Sequence, residues 1–408
     1  MDGMINKMSM ICRLNFILLF FVLIPIVASA KKHLLTDKSS VSIMTCGKTS
    51  KYLYALFGHS AIRVKDPLQN LDIVYNYGTF DDSDPLFYVN FIRGKMLYYL
   101  SYTDYRSFIY SYQLDGQSVL EQTLNLSCQE KNMIYSILEK QVHSQNKYYY
   151  YDFIKNNCTT KLVDILLLVK GEEFSKALNT VNQQKRGTIR NLINNCLEKN
   201  SYPIFGINIL LGKDADTLCT RGTALFLPDS LKGRLENTIV DGQKMVNRTE
   251  MLLPQQEDRL RTSSDFKTST TLFLLSLSLF VLAIMLNLPL FCNNQWLSLL
   301  NLIIKQFICV VISIVGVALI YISFFSSIGL LKYNSNLLWC HPFYLLLVFN
   351  ISRRSISWIF IVAILIFTLL NLNNDDLTMM VPVLTLILAF LFNYMVVKQK
   401  KLNMNLPN

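Results

Sequence analysis

After residue 270 the chain carries five apolar stretches, at 271–291, 302–325, 337–351, 355–371 and 378–397. Nothing else limits the fold so sharply, because such a tail must lie in lipid or against other apolar surface. The first two and the last are long enough to cross a bilayer core at about 1.5 Å per residue. The third and fourth are shorter, with "NISRRSIS" between them. They count as a pair, either two tilted spans or a shallow hairpin. The expectation is an all-α transmembrane bundle of about five helices over 271–397, with 398–408 as a cytoplasmic tail.

The N-terminus divides as a secretory signal does. Lys7 and Arg13 precede the apolar "LNFILLFFVLIPIV", and "ASA" ending at Ala30 offers a small-residue cleavage site. The plainer alternative is an uncleaved anchor, and under either reading the middle of the chain is exported. Charge tests the orientation. With residues 31–265 outside, five crossings put Arg353, Arg354 and "KQKKLNMN" in the cytoplasm and the acidic "NLNNDDL" outside. The net charge of +11 does not call for nucleic acid: the apolar half alone carries seven Lys or Arg against Asp375 and Asp376. What remains is a mildly basic exported domain suited to anionic lipid head groups.

Within that domain the class is α+β. "VSIMTC" (41–46) alternates as a strand, "KTSKYLYALFG" suits a short helix, and "HSAIRVKD" with "LDIVYNYGTFD" forms a hairpin about "PLQN". "QSVLEQTLNL" is a further strand ending at "SCQE", a capping box for a helix over 128–145. "NCTTKLVDILLLVKG" places Cys158 in the first turn of a helix that Gly171 closes. Residues 31–240 therefore read as the exported domain and 241–270 as a polar linker to the first span. The exported part holds Cys46, Cys128, Cys158, Cys196 and Cys219, an odd number with no CxxC and no zinc spacing. At least one thiol thus stays unpaired within the chain, and no metal or other cofactor is expected.

A thiol attacks a carbonyl well only as thiolate. A helix N-terminus and a neighbouring imidazole both favour that form, and Cys158 and His59 offer them. On spacing alone, one His and one Cys a hundred residues apart do not make a site. His33 and His143 read as solvated surface residues. His341, in "LLWCHPFY", reads as an interfacial residue or one that meets substrate from the bilayer. Arg63, Arg93 and Lys95 are candidates for lipid phosphate, against the plainer reading of salt-bridged surface cations. Tyr151, ending the run "YYYY", suits an acyl groove, the membrane interface or simple core packing.

Taken together, "VSIMTCGKTSKYLYALFGHSAIRVKD", "DIVYNYGTFD", "FYVNFIRGKMLYYL", "YYYYDFIKNNCTTKL" and "FLPDSL" resemble the exported domain of the Lnb-type bacterial lipoprotein N-acyltransferases. The likeness runs from about residue 41 to 235, and the apolar tail is similar in layout. It implies a papain-like fold of the circularly permuted NlpC/P60 kind, with Cys158 as nucleophile and His59 as base. That plan also needs a polar residue to orient the imidazole. Asn76, on the adjacent strand, is the first choice and Asp152 the second. One departure from the family pattern is Thr159-Thr160, where an Ala-Thr pair is common. The function so implied is transfer of an acyl chain from a membrane phospholipid to the α-amino group of diacylated lipoproteins, by a multi-pass protein of the bacterial inner membrane. Two rival readings are a cell-wall peptidase or amidase with the same pair, and a non-catalytic membrane receptor or assembly factor.

Overall fold

The computed structural model describes residues 34–49, 51–81, 83, 85–180, 187–197, 202–219, 223–256, 277–278, 295–349, 351–372 and 377–396. The expected signal peptide, most of the first apolar stretch, Asp375, Asp376 and the tail 398–408 lie outside those residues. The class is α+β, a sheet-rich N-terminal part followed by a helical one.

Six strands come first: β1 (Ser40–Cys46), β2 (His59–Asp66), β3 (Leu71–Thr79), β4 (Leu97–Asp104), β5 (Val119–Leu124) and β6 (Tyr148–Tyr150). A small hairpin, β7 (Ile239–Val240) with β8 (Gln243–Lys244), precedes β9 (Val246–Leu253). The main sheet has seven strands in the order β6-β4-β3-β2-β1-β5-β9, every neighbouring pair antiparallel. The β2–β3 hairpin is the one read from the sequence. Pro67 opens its 3-10 turn, the Asp66 carboxylate accepts the Leu68 N–H, and Asn70 closes it with φ 52°.

Alternation along the strands gives the sheet two covered faces. On one, α2 (Tyr105–Leu114) sends Phe108 onto Met44, Cys46, Ala61, Val74 and Val119. On the other lie α3 (Cys128–Val142) and α4 (Cys158–Thr180). The Tyr75 and Tyr77 hydroxyls donate to Glu139 and Gln141 of α3, each at 2.5 Å, and Ser60 Oγ sits 3.2 Å from Thr159 Oγ1 of α4. Helix α3 starts at the expected capping box: Ser127 accepts the Glu130 N–H, and the Glu130 carboxylate accepts the Ser127 N–H. Gly171 breaks α4 with φ 68° and ψ −153°, and a further helical stretch follows to Thr180.

Two expectations change. The segment 51–57 forms only a 3-10 turn at Leu53–Ala55. The polar tether expected over 241–270 contributes β9, which pairs along all of β5. An edge strand bonds through backbone on one side and leaves its side chains largely to solvent. Asn247, Arg248, Thr249 and Glu250 are exposed and polar, so the strand reads as linker.

The remaining helices are α1 (Phe87–Arg93), α5 (Ile189–Cys196), α6 (Tyr202–Leu210) and α7 (Pro228–Glu236) in the N-terminal part. The helical part holds α8 (Gln295–Phe325), α9 (Leu345–Val348), α10 (Arg353–Leu370) and α11 (Leu377–Val396). Among the described residues, α8 and α10 are long and apolar enough to cross a membrane; Met380–Phe392 of α11 is a shorter apolar run. The described residues of 337–351 make no spanning helix. They fold as 3-10 turns and the four-residue α9, and His341 lies so close to α8 that a Cβ on Gly316 would stand 2.6 Å from its Cα.

The two parts share a core. Ile189, Ile193, Ile204, Phe226 and Leu227 pack with Ile322, Ile328, Leu330 and Leu331. Hydrogen bonds seal the joint. Asn334 Nδ2 donates to the Ile209 and Leu210 carbonyls, Asn336 Nδ2 to those of Asn208 and Ile209, and the Ser326 hydroxyl to Ile92 O at 2.6 Å.

Candidate active site

The chain enters β2 through Gly58, whose φ is 75° and whose absent Cβ would stand 2.7 Å from the Cys46 carbonyl oxygen. Only glycine meets both demands, which accounts for the Phe-Gly-His sequence. His59 then opens β2 opposite Cys46. The β2–β3 register, continued from Ile62↔Tyr75, sets Gly78 across from His59. A bulge between Asn76 and Thr79 breaks the pairing of β3 with β4 there. Gly78 has φ 101°, and a Cβ on it would lie 3.5 Å from His59 Cε1 and 3.7 Å from Cys158 Cβ. Imidazole and thiol therefore flank the same bare stretch of backbone.

Cys158 is the first residue of α4, and Asn157 is the helix cap. The buried Asn157 side chain accepts the Thr159 and Thr160 N–H groups at 2.9 Å each. Its amide donates to the carbonyls of Phe153 and Phe226 at 2.8 Å each. The cap thus pins the start of α4 to the loop before it and to the segment leading into α7. It also engages the Thr159 and Thr160 amides at the start of α4.

The imidazole is held from both sides. Nε2 donates to Asn76 Oδ1 at 2.5 Å. A carbonyl oxygen only accepts, so this contact keeps the proton on Nε2, and the ring lies close enough to Cys158 for the two to shift each other's titration. Burial works to raise the Cys158 pKa. The facing imidazolium, its hydrogen bond, the Ser60 N–H and the Thr159 hydroxyl together outweigh burial and bring the thiol down to about 7. For His59, burial favours the neutral ring, but the Cys158 charge and the bonds to Cys158 and Asn76 outweigh it and raise the pKa. Both shifts run in the direction that favours a thiolate–imidazolium pair.

Asp152, the second choice as orienting group, is spent elsewhere: its carboxylate accepts the Ile154 and Lys155 N–H groups. Arg63 is buried, bridging Asp72 at 2.7 Å and Glu121 at 3.0 Å with its guanidinium 3.4 Å from the Tyr105 ring centre. A guanidinium so fully engaged is structural and has nothing left for a phosphate. Arg93 ends α1, where its carbonyl accepts the Ser327 N–H, and exposed Lys95 follows it; both lie at the joint with α8. Tyr151 stacks on Tyr98 at 4.5 Å and feels the Cys158 charge, so it belongs to the wall around the thiol. His341 packs between Tyr344 and Phe360 in the helical part.

Sequence reasoning missed Asn157, Gly78, Ser60 and Tyr98. Only Asn157 carried a readable signal, a cap residue directly before an apolar helix. Thr159, noted as a departure from the family pattern, has a role: its hydroxyl lies 3.8 Å from Cys158 Sγ. Cys46 is buried behind His59 as a free thiol, its pKa raised by burial despite a bond to Tyr112. Among the described residues no cluster of three or more His, Cys, Asp or Glu side chains offers a metal site.

Residues 31–195, a stretch that includes Cys158, His59 and Asn76, match the family model described as the Lnb N-terminal periplasmic domain. The resemblance read from the motifs is thus shown for this part of the chain. With two helices able to cross a membrane, the domain is similar to a periplasmic module carried by a membrane-anchored protein. No curated protein and no solved structure matches the chain.

Proposed function

We propose, taking the Lnb-type domain as the premise, that this protein is a membrane-anchored lipoprotein N-acyltransferase working through Cys158 and His59. The observation that carries the reading is the Cys158–His59–Asn76 array, held in a domain that shares its core with the end of a candidate spanning helix. The Cys158 thiolate attacks an ester carbonyl of a phospholipid. The tetrahedral oxyanion is stabilised by the Cys158 amide and the field at the start of α4. As the C–O bond breaks, the imidazolium gives its proton to the departing lysophospholipid oxygen, leaving a thioester and a neutral imidazole. The free α-amine of a lipoprotein's diacylglyceryl-cysteine then attacks that thioester. His59 takes the amine proton, the C–S bond breaks, and the thiolate–imidazolium pair returns with the amide product.

The run of the helical part supports the membrane setting. Phe325 and Ser326, ending α8, and Asn371, ending α10, lie towards the domain, while Arg353 stacks on Tyr394 at the other end. Residues 339–349, 351 and 352 return between those ends without a long helix, and such irregular backbone is tolerated at membrane depth when packed in protein. With the expected span over 271–291, this path keeps the basic ends inside. Arg93 and Lys95, beside the outer end of α8, are the remaining cation candidates for lipid phosphate.

The test is direct. Purified full-length protein is incubated with phospholipid and a synthetic diacylated lipopeptide, and the products are weighed. Gain of one acyl chain on the lipopeptide, lost in Cys158→Ala, supports the proposal. Cleavage of muropeptides instead would make the protein a peptidase, and no change in either substrate would make it a non-catalytic factor.

A further inference from the structure

A cavity of about 400 Å³ opens beside His59 and Asn76, between the 3-10 turn at Leu53–Ala55 and helix α2. It lies on the α2 face of the sheet, with Phe108 and Tyr112 among its lining. Thr103, Ser107 and Ser111 add hydroxyls to the wall, the two serines one helical turn apart and both exposed. We infer that this groove takes the peptide portion of the acyl acceptor, the residues following its N-terminal cysteine. The inference rests on the acyltransferase reading above and adds the side from which each substrate reaches the thiol.

Three observations carry it. First, the wall is mixed: Asn76, Thr103, Ser107 and Ser111 stand among the rings of Tyr54, Phe80, Phe108 and Tyr112. An alkyl chain laid along it uses only the rings and returns no hydrogen bond to the hydroxyls and amide between them. A peptide offers an N–H and a C=O at every residue. Second, the opposite flank of Cys158 suits hydrocarbon. Tyr151 stacks on Tyr98 and lies 5.9 Å from Phe91 of α1. The end of α1 is bonded through Ile92, Arg93 and Gly94 to Ser326 and Ser327, just past α8. That flank leads to the end of a candidate spanning helix and suits the donor lipid. Third, deacylation needs the attacking amine within reach of the imidazole, and the groove is lined by His59 itself. Phe80, at the groove, packs on Phe87 of α1, so an acceptor cysteine held there keeps its diacylglyceryl group near the membrane side.

The experiment separates the two half-reactions in the full-length protein. Ser111→Trp, and independently Ser107→Trp, place an indole in the groove on an exposed helix position. Phospholipid labelled in its acyl chains reports thioester formation on Cys158. The thioester is then released either by hydroxylamine, which needs no groove, or by a diacylglyceryl-Cys pentapeptide. The expected result is labelling within about twofold of wild type, unchanged hydroxylamine release, and kcat/KM for the lipopeptide lower by about tenfold or more, chiefly through KM. Normal hydroxylamine release also certifies that the variant is folded. Lipopeptide transfer equal to wild type in both variants would overturn the inference. So would a selective loss of thioester formation, which would assign the groove to the donor. If wild-type protein itself never acquires the label, the acyltransferase reading fails first.

Discussion

At the scale of single residues, two glycines make room for the imidazole and the thiol to approach one another. Gly58 and Gly78 both hold positive φ, and each lies where a side chain would meet the site or the strand behind it. Gly78→Ala is expected to cost about 1–2 kcal/mol from the backbone alone, seen as a lower Tm in thermal melts. The pH dependence of the thiol follows from its partners. The imidazole beside it brings Cys158 down to about 7, so its thiolate forms as pH rises through that value, and the same contact raises the pKa of His59. Alkylation of Cys158 by iodoacetamide should therefore rise with a midpoint near 7, two units below the ordinary thiol value of 9.0. In His59→Ala the midpoint should climb back towards that value, read by peptide mass spectrometry across a pH series. Asn76→Ala frees the ring to turn, and acyl transfer is expected to fall by about 10- to 100-fold with the thiol still alkylable. A wild-type midpoint at or above 9.0 would mean that the pair does not form in solution.

Between elements, the cap of α4 and the last strand of the sheet decide whether the site is held at all. Asn157 satisfies two helix N–H groups and donates to two carbonyls from separate segments. Replacing it with Ala removes the cap and leaves buried groups unpaired, an expected loss of about 2 kcal/mol in urea unfolding. The alkylation midpoint should rise in the same variant, because the start of α4 is no longer fixed beside His59. Strand β9 covers the outer edge of β5. A chain cut after Val240 leaves that edge bare, and it should form concentration-dependent aggregates where one cut after Gln256 does so less, measured by light scattering in matched detergent.

At the scale of the whole molecule, the domain is not a bead on a string. Its apolar residues Ile189, Ile193, Phe226 and Leu227 are buried against 322–331, and the Asn334 and Asn336 side chains bond to carbonyls of α6. Under the proposed function, a surface fixed in this way would meet amphiphilic substrates at a constant height, which a flexible tether would not provide. The domain expressed as residues 31–256 should expose that patch, bind a hydrophobic dye and lose protease resistance relative to the full chain. The double variant Asn334→Ala, Asn336→Ala should show a milder form of the same behaviour, with cleavage between the two parts speeding up first.

The β2–β3 hairpin, the capping box at Ser127 and the helix opening at Cys158 were legible without coordinates, because each depends on neighbours within a few residues. So was the candidacy of His59 and Cys158, and the presence of apolar stretches long enough to span. The pairing of imidazole, amide and thiol was decided only in three dimensions, by strand register, a bulge in β3 and a helix cap that reaches across to Phe226. The same holds for Arg63, which the sequence offers to lipid and the fold locks between two carboxylates. It holds also for β9, whose membership depends on backbone bonds that leave no pattern in its side chains. Local periodicity is written in the chain; which distant groups meet follows from how the layers stack.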